Sequence, residues 1–230
     1  MVKETELLIW MLIMFFVISC TSYKKKDAAN LDRIESVWKL SDQDIESAIT
    51  ECDAMQNAIY TSSEYVRMKY DLLTIRLRDK SYMTPSSPDS IKKITAYMEK
   101  HGSKKDLMRT YYYMGSVYDE LHDSPRAVEY TLKSLAYISQ PLSCDTAIAL
   151  KGYSQLSAIY RNQDNAQGAI EVSLKGLKIA EEAGLVNCWY IMDVATAYKE
   201  VGDGEKCLEY CHKAYEKLNI QDRSAMFLYR

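Results

Sequence analysis

Few side chains in this sequence are of a kind that does chemistry. The three histidines are His101, His122 and His212, and the six cysteines are Cys20, Cys52, Cys144, Cys188, Cys207 and Cys211. The tightest grouping is Cys207, Cys211 and His212. Residues four apart share a helix face, so the two thiols could ligate a soft metal. Both cysteines also suit the small packing positions of a helical pair, where cysteine behaves as a small hydrophobe. That reading is preferred, and no metal is expected. Histidines at helix ends or turns serve the helix dipole or face solvent, and Asp119-Glu120 and Glu181-Glu182 read as solvated helix faces. Catalysis needs convergent acid, base, nucleophile or metal groups. The sequence offers no such set, nor a Gly-rich phosphate loop, a nucleophile elbow or a metalloprotease motif. The expectation is therefore a non-enzymatic chain with no catalytic residue and no cofactor.

The elements that must position any remaining site are helical. Of the 230 residues, 47% are hydrophobic and only 8 are Gly and 4 Pro, while Leu, Ala, Lys, Glu, Met and Tyr recur at helical spacing. The net charge of −3 is spread along the chain without a basic patch, so no nucleic-acid partner is expected.

Those helices repeat. The series Tyr111, Met114, Gly115, Tyr118, Ala127, Thr131 and Ser134 returns at the same internal spacing as Tyr153, Leu156, Ser157, Tyr160, Ala169, Ser173 and Gly176. It returns again as Ile191, Val194, Ala195, Tyr198, Cys207, Cys211 and Ala214. A small residue at 115, 157 and 195 lets two helices approach closely, and the tyrosine three residues on fills the groove beside them. Turn chemistry falls between the helices at Leu121 to Pro125, Asn162 to Asn165 and Gly202 to Gly204, with Ser124 before Pro125 read as a cap and first-turn proline. The packing set is thus Gly115, Tyr118, Ala127, Ser157, Tyr160, Ala169, Ala195, Tyr198 and Cys207.

This pattern resembles the tetratricopeptide repeat. The steps from Tyr111 to Tyr153 and from Tyr153 to Ile191 both exceed the family's period, which is about 34 residues. The resemblance implies an all-α, right-handed α-solenoid of antiparallel helix pairs that binds a protein or peptide on its concave face, lined by the first helix of each pair. Carrying the inward phase onto this chain selects Arg109, Tyr112, Ser116 and Asp119, then Lys151, Ser154, Ala158 and Arg161, then Trp189, Met192, Thr196 and Lys199. Tyr112 and Trp189 are expected to be exposed there beside Arg and Lys, the residue types of binding hot spots; scattered surface residues are the alternative.

The N-terminus is a different kind of segment. Lys3 precedes an unbroken apolar run from Leu7 to Ile18, which is short for a membrane span and has the length of an export-signal core. Val17-Ile18-Ser19-Cys20 resembles the bacterial lipobox, which implies lipidation of Cys20 and a membrane anchor. A plain signal peptide and an uncleaved anchor remain open, since Glu4 and Glu6 offset Lys3. Five cysteines would remain after lipidation, an odd number that argues against a fully paired disulfide framework.

The expected organisation is a signal peptide over 1–19, a lipidated Cys and polar tether over 20–28, degenerate helical pairs capping the array over 29–103, and repeats over 104–230. Within the capping region, a short helix over about Leu31 to Leu40 comes first, and Ser41 to Asp44 is read as opening a second whose apolar side includes Ile45, Ala48, Ile49, Cys52, Ala54 and Ile59. A third helix follows from Glu64 to Arg78 and a fourth from Asp89 to about Lys100, closed by His101-Gly102. The repeats run over about 108–141, 150–183 and 188–220, with a truncated repeat from 223. The order of parts, from the lipobox through Tyr65-Val66-Arg67-Met68-Lys69-Tyr70 and Tyr97-Met98-Glu99-Lys100-His101-Gly102 to Tyr111-Tyr112-Tyr113-Met114-Gly115, is similar to tetratricopeptide lipoproteins of the Bacteroides type. Three functions compete: an envelope-tethered scaffold for a protein or peptide, the periplasmic sensory part of a signalling or transcription-regulatory protein, and a carbohydrate-binding lipoprotein.

Overall fold

The computed structural model describes residues 26–138 and 145–218. The expectations for Cys20, the 1–19 signal, Cys144 and the repeat from 223 lie outside the described residues. Every regular element among those residues is a helix, and the chain divides into two compact units between Thr84 and Pro85.

The first unit holds α1 (26–40), α2 (Ile45–Tyr60) and α3 (Glu64–Lys80). Its core is Ile34, Val37 and Trp38 with Ala48, Cys52, Met55 and Ile59 from α2 and Val66, Met68, Leu72, Leu73 and Leu77 from α3. Met55 takes the place expected for Ala54, and Ile49 is exposed, because the buried stripe runs 48, 52, 55, 59 at strict helical spacing. The helix start also differs from the Ser41 reading. Asp44 is the cap of α2, accepting from the Ser47 amide at 3.1 Å. The buried Ser41 hydroxyl instead donates to the Trp38 carbonyl at 2.7 Å and accepts from Arg76 Nε at 2.8 Å. Arg76 is itself buried, with its guanidinium 4.6 Å from the Trp38 ring centroid and 2.6 Å from Asp42.

The second unit begins with α4 (Asp89–His101) packed on α5 (Lys104–Glu120), followed by α6 (Ser124–Leu135), α7 (Thr146–Asn162), α8 (Ala166–Glu182), α9 (Cys188–Glu200) and α10 (Gly204–Lys217). Gly102 after α4 has φ −81, so no left-handed cap is formed there; a Cβ at this position would stand 2.7 Å from the Met98 carbonyl oxygen, and that space is what glycine provides. Ser103 and Asp106 then form a reciprocal capping box at the start of α5.

Helices α5/α6, α7/α8 and α9/α10 form three antiparallel pairs whose turns obey one rule. His122, Asp164 and Gly202 adopt positive φ at equivalent repeat positions. The residue after each, Asp123, Asn165 or Asp203, sends its amide back to the carbonyl of Tyr118, Tyr160 or Tyr198. That is a Schellman closure. The same residue then caps the next helix, accepting from the amide of Arg126, Gly168 or Lys206. One residue thus ends the first helix and starts the second. The cap of α6 is therefore Asp123, one residue before the expected Ser124, which occupies the first helical position.

Close approach fixes the pairs. Gly115 faces α6 so tightly that a Cβ would lie 3.1 Å from the Ala127 carbonyl oxygen and overlap the Thr131 hydroxyl. Gly176 meets α7 in the same way, 2.8 Å from the Tyr153 Cβ. Ala127, Ser157, Ala169 and Ala195 are buried, and Tyr160 packs with Ala169, Ile170 and Ala197. In the first and third pairs the repeat tyrosine stacks on a second one from the following helix: Tyr118 on Tyr130 and Tyr198 on Tyr210, each at 5.6 Å. Cations cover both stacks, Arg126 and Lys133 on the first, Lys206 and Lys213 on the second.

Candidate functional site

The first helices of the three pairs, α5, α7 and α9, are joined along one seam by polar side chains. At its head, Asp145 precedes α7 but its carboxylate caps nothing; it accepts from Arg109 Nε of α5 at 2.6 Å. The Arg109 side chain is buried at 4% exposure and that of Asp145 is largely enclosed at 12%, so the charges are held together with little water between them. In the middle, Gln155 of α7 hydrogen-bonds with Thr131 of α6 at 3.1 Å and with Asp119 of α5. Burial raises the Asp119 carboxyl above the usual carboxylate range, Glu120 adds to the effect, and the Gln155 bond opposes it.

Between α7 and α9, the Ser154 hydroxyl donates to the Asp193 carboxylate. Burial pushes the Asp193 carboxyl up, while Ser154 and the positive charge of Arg161 hold it back. Arg161 Nε is buried and has no hydrogen-bond partner among the described residues. An orphaned donor of this kind costs about 1–3 kcal/mol. An incoming acceptor, such as a peptide carbonyl or carboxylate, would satisfy it.

A carboxyl whose pKa is higher in the folded than in the unfolded state destabilises the fold at neutral pH, and this cost fades as pH falls through the folded value toward about 3.9. Asp193→Asn retains an acceptor for Ser154 and removes the buried charge. The variant should therefore resist urea better than the parent at pH 7, with the difference shrinking toward pH 4.

The residues selected by repeat phase separate into two groups. Arg109, Tyr112 and Ser116 of α5 are buried, so Tyr112 is not the exposed aromatic expected; its ring meets Tyr113 edge-on at 4.9 Å, and the whole stretch from Met108 to Tyr118 is inside. Lys151, Ser154, Ala158 and Arg161 of α7 are half-buried, as are Met192 and Thr196 of α9, whereas Lys199 is exposed. Met192 packs against the Leu177–Ile191–Val194 cluster and the Thr196 hydroxyl donates to the Met192 carbonyl. Trp189, at the start of α9, is 71% exposed. The accessible part of the seam is therefore α7 and α9. Asp145, Gln155 and Asp193 escaped the sequence reading, because which residues of successive first helices face each other depends on inter-repeat geometry.

Cys207 and Cys211 are both half-buried; burial raises the Cys211 thiol, and the neighbouring Cys207 adds to the effect. Among the described residues no group of three or more His, Cys, Asp or Glu side chains is placed to hold a metal ion, and no helix is long and apolar enough to cross a membrane.

No protein-family profile matches the chain, and no curated protein matches it. Solved structures do. The putative kinesin light chain TPR-like repeats from Podosopora anserina are 13% identical, with 83% of this chain and 95% of that one covered at a TM-score of 0.58. A signal transduction ATPase with a tetratricopeptide repeat sensor from Pyrococcus horikoshii is 18% identical, covering 88% of this chain at a TM-score of 0.64; this chain spans 32% of its length. The Rap protein complexed with Competence and Sporulation Factor is 12% identical, covering 83% of this chain and 54% of that one at a TM-score of 0.64. Close-packed helix pairs, repeated turns and these likenesses agree that the chain has the tetratricopeptide fold, an all-α solenoid of antiparallel helix pairs.

Proposed function

We propose that this chain is a non-enzymatic scaffold that captures a protein or peptide on the α7–α9 part of its first-helix seam, and that a lipid on Cys20 holds it at the bacterial cell envelope. The observation that carries the binding reading is Arg161, a cation with a buried, unsatisfied Nε beside Asp193 and on the same seam as Ser154 and the exposed Trp189. A bound peptide would supply acceptors to the guanidinium and an apolar side chain to the indole, a pairing that concentrates binding energy. The Rap protein's solved complex with Competence and Sporulation Factor supports this use of the fold. The anchor reading rests on the Val17-Ile18-Ser19-Cys20 resemblance and on acyl chains, which contribute about 0.8 kcal/mol per buried methylene.

Two measurements test the two halves separately. Arg161→Glu with Trp189→Ala should weaken the tightest binder selected from a random peptide library by at least about a hundredfold, near 2.8 kcal/mol, with the helical circular dichroism spectrum unchanged. Equal affinity in the variant would reject the site. For the anchor, Cys20→Ser should move the native protein from the membrane fraction to the soluble fraction and abolish labelling by a radioactive fatty acid. Persistent labelling would reject Cys20 as the lipid carrier.

A further inference from the structure

The seam brings the same two repeat positions together twice, with different results. Asp119 of α5 and Gln155 of α7 stand at these positions first, and they hydrogen-bond directly. Arg161 of α7 and Asp193 of α9 are their equivalents one repeat later. These two carry opposite charges, yet among the described residues they form neither a hydrogen bond nor an ion pair. Asp193 accepts from the Ser154 hydroxyl instead, and Arg161 Nε is buried without an acceptor. Burial raises the Asp193 carboxyl, while Ser154 and the Arg161 charge hold it back, so the guanidinium acts on the carboxylate without binding it. The other charged groups around α9 lie apart. Lys151 stands a turn before Ser154 on α7, Lys199 is exposed beyond Asp193 on α9, and His212 of α10 is exposed. Lys206 and Lys213 of α10 cover the rings of Tyr198 and Tyr210, and α8 meets α9 through Ile170, Leu174 and Leu177.

Resting on the reading that Arg161 anchors the binding seam, we propose that the ligand enters through a carboxylate on Arg161 and binds together with one proton, carried by Asp193. A planar guanidinium with no ion pair matches a carboxylate through two parallel N–H···O bonds, a stronger pairing than a neutral peptide carbonyl provides. Once that carboxylate is seated, Arg161 is neutralised and a second negative charge faces Asp193. Both changes favour the protonated form of Asp193. The proton comes from solvent, and the new O–H can donate to the Ser154 hydroxyl, which turns from donor to acceptor. A ligand that strengthens proton binding is by linkage bound more tightly as pH falls. The gain ends near about pH 4.3, where a glutamate on the ligand takes up its own proton and loses its charge for Arg161.

Calorimetric titration of the full chain tests this. The probe is the tightest binder from a library of histidine-free peptides, capped at both ends, each with a single glutamate. Titrations between about pH 7.5 and pH 5.5, in two buffers of different ionisation enthalpy, give both the affinity and the protons taken up. Affinity should rise about three- to tenfold per pH unit, the upper figure being the slope for one whole proton per peptide. Asp193→Asn should bind at the upper pH at least as tightly as the parent does at the lower, with no proton uptake and no slope. A flat or falling parent affinity as pH is lowered, with binding still lost in Arg161→Glu, would overturn this inference and leave the binding seam standing. Loss of binding in Asp193→Asn, or a slope that persists there, would overturn the role of Asp193. Binding that survives Arg161→Glu would overturn the inference and the seam together.

Discussion

Asp145→Ala should lower the unfolding free energy by about 3–5 kcal/mol, because it removes the partner of a cation that the fold has already taken out of water. Arg109 sits within α5 with its side chain 4% exposed, and Asp145 reaches it from the start of α7. The pair therefore ties the first repeat to the second through side chains distant in sequence. The cost of the single variant is mainly that of leaving Arg109 buried without this carboxylate. It follows that Arg109→Met combined with Asp145→Ala should be less destabilised than the sum of the two single variants, by about 1–3 kcal/mol of coupling. Urea unfolding followed by circular dichroism, at fixed pH and salt, measures all three. Additive losses would mean that the two side chains act independently.

Gly115→Val should cost about 3 kcal/mol, at the top of the range for overpacking a closed interior. The neighbours that a side chain at 115 would meet are the Ala127 carbonyl and the Thr131 amide and hydroxyl, so backbone rather than a flexible tip must move. Thr131 is pinned in addition, its hydroxyl donating to the Ala127 carbonyl at 2.7 Å. Glycine normally weakens a helix interior by about 1 kcal/mol relative to alanine. Here the approach of α6 outweighs that preference, and Gly115→Ala should also destabilise, by less than Gly115→Val. A Gly115→Ala variant more stable than the parent would show that the two helices separate at little cost.

These two sites differ in how far the sequence reveals them. Gly115 and Tyr118 recur in phase with Ser157, Tyr160, Ala195 and Tyr198, so the helix pairs and their close-packed positions are legible from spacing alone. The turns are legible too, although at the first of them the more familiar Ser-Pro pair hides Asp123, which stands in register with Asn165 and Asp203 as a cap. The stacked Tyr118–Tyr130 and Tyr198–Tyr210 pairs occupy the same phase, so comparing the first repeat with the third reveals them.

Arg109–Asp145 and Ser154–Asp193 are not legible in this way. A linear period gives the phase of each helix, and says nothing of which residue on the next first helix stands opposite. Tyr112 shows the same limit. Its repeat equivalents Ser154 and Met192 are half-buried, but every residue of α5 from Met108 to Tyr118 is enclosed, so the first pair buries a position that the other two leave partly open. Ser41 fails for a related reason: its hydroxyl is drawn to Trp38 and Arg76, contacts set by tertiary packing rather than by the helix it precedes.

The central claim is that the accessible seam of α7 and α9 binds a peptide. Hydrogen exchange of the protein with and without its best library-selected peptide tests it most directly, reading amide protection helix by helix. Slowed exchange confined to 151–161 of α7 and 189–199 of α9, and lost with Arg161→Glu, is the predicted result. Protection that falls instead on α6, α8 or α10, or that survives Arg161→Glu unchanged, would contradict the account.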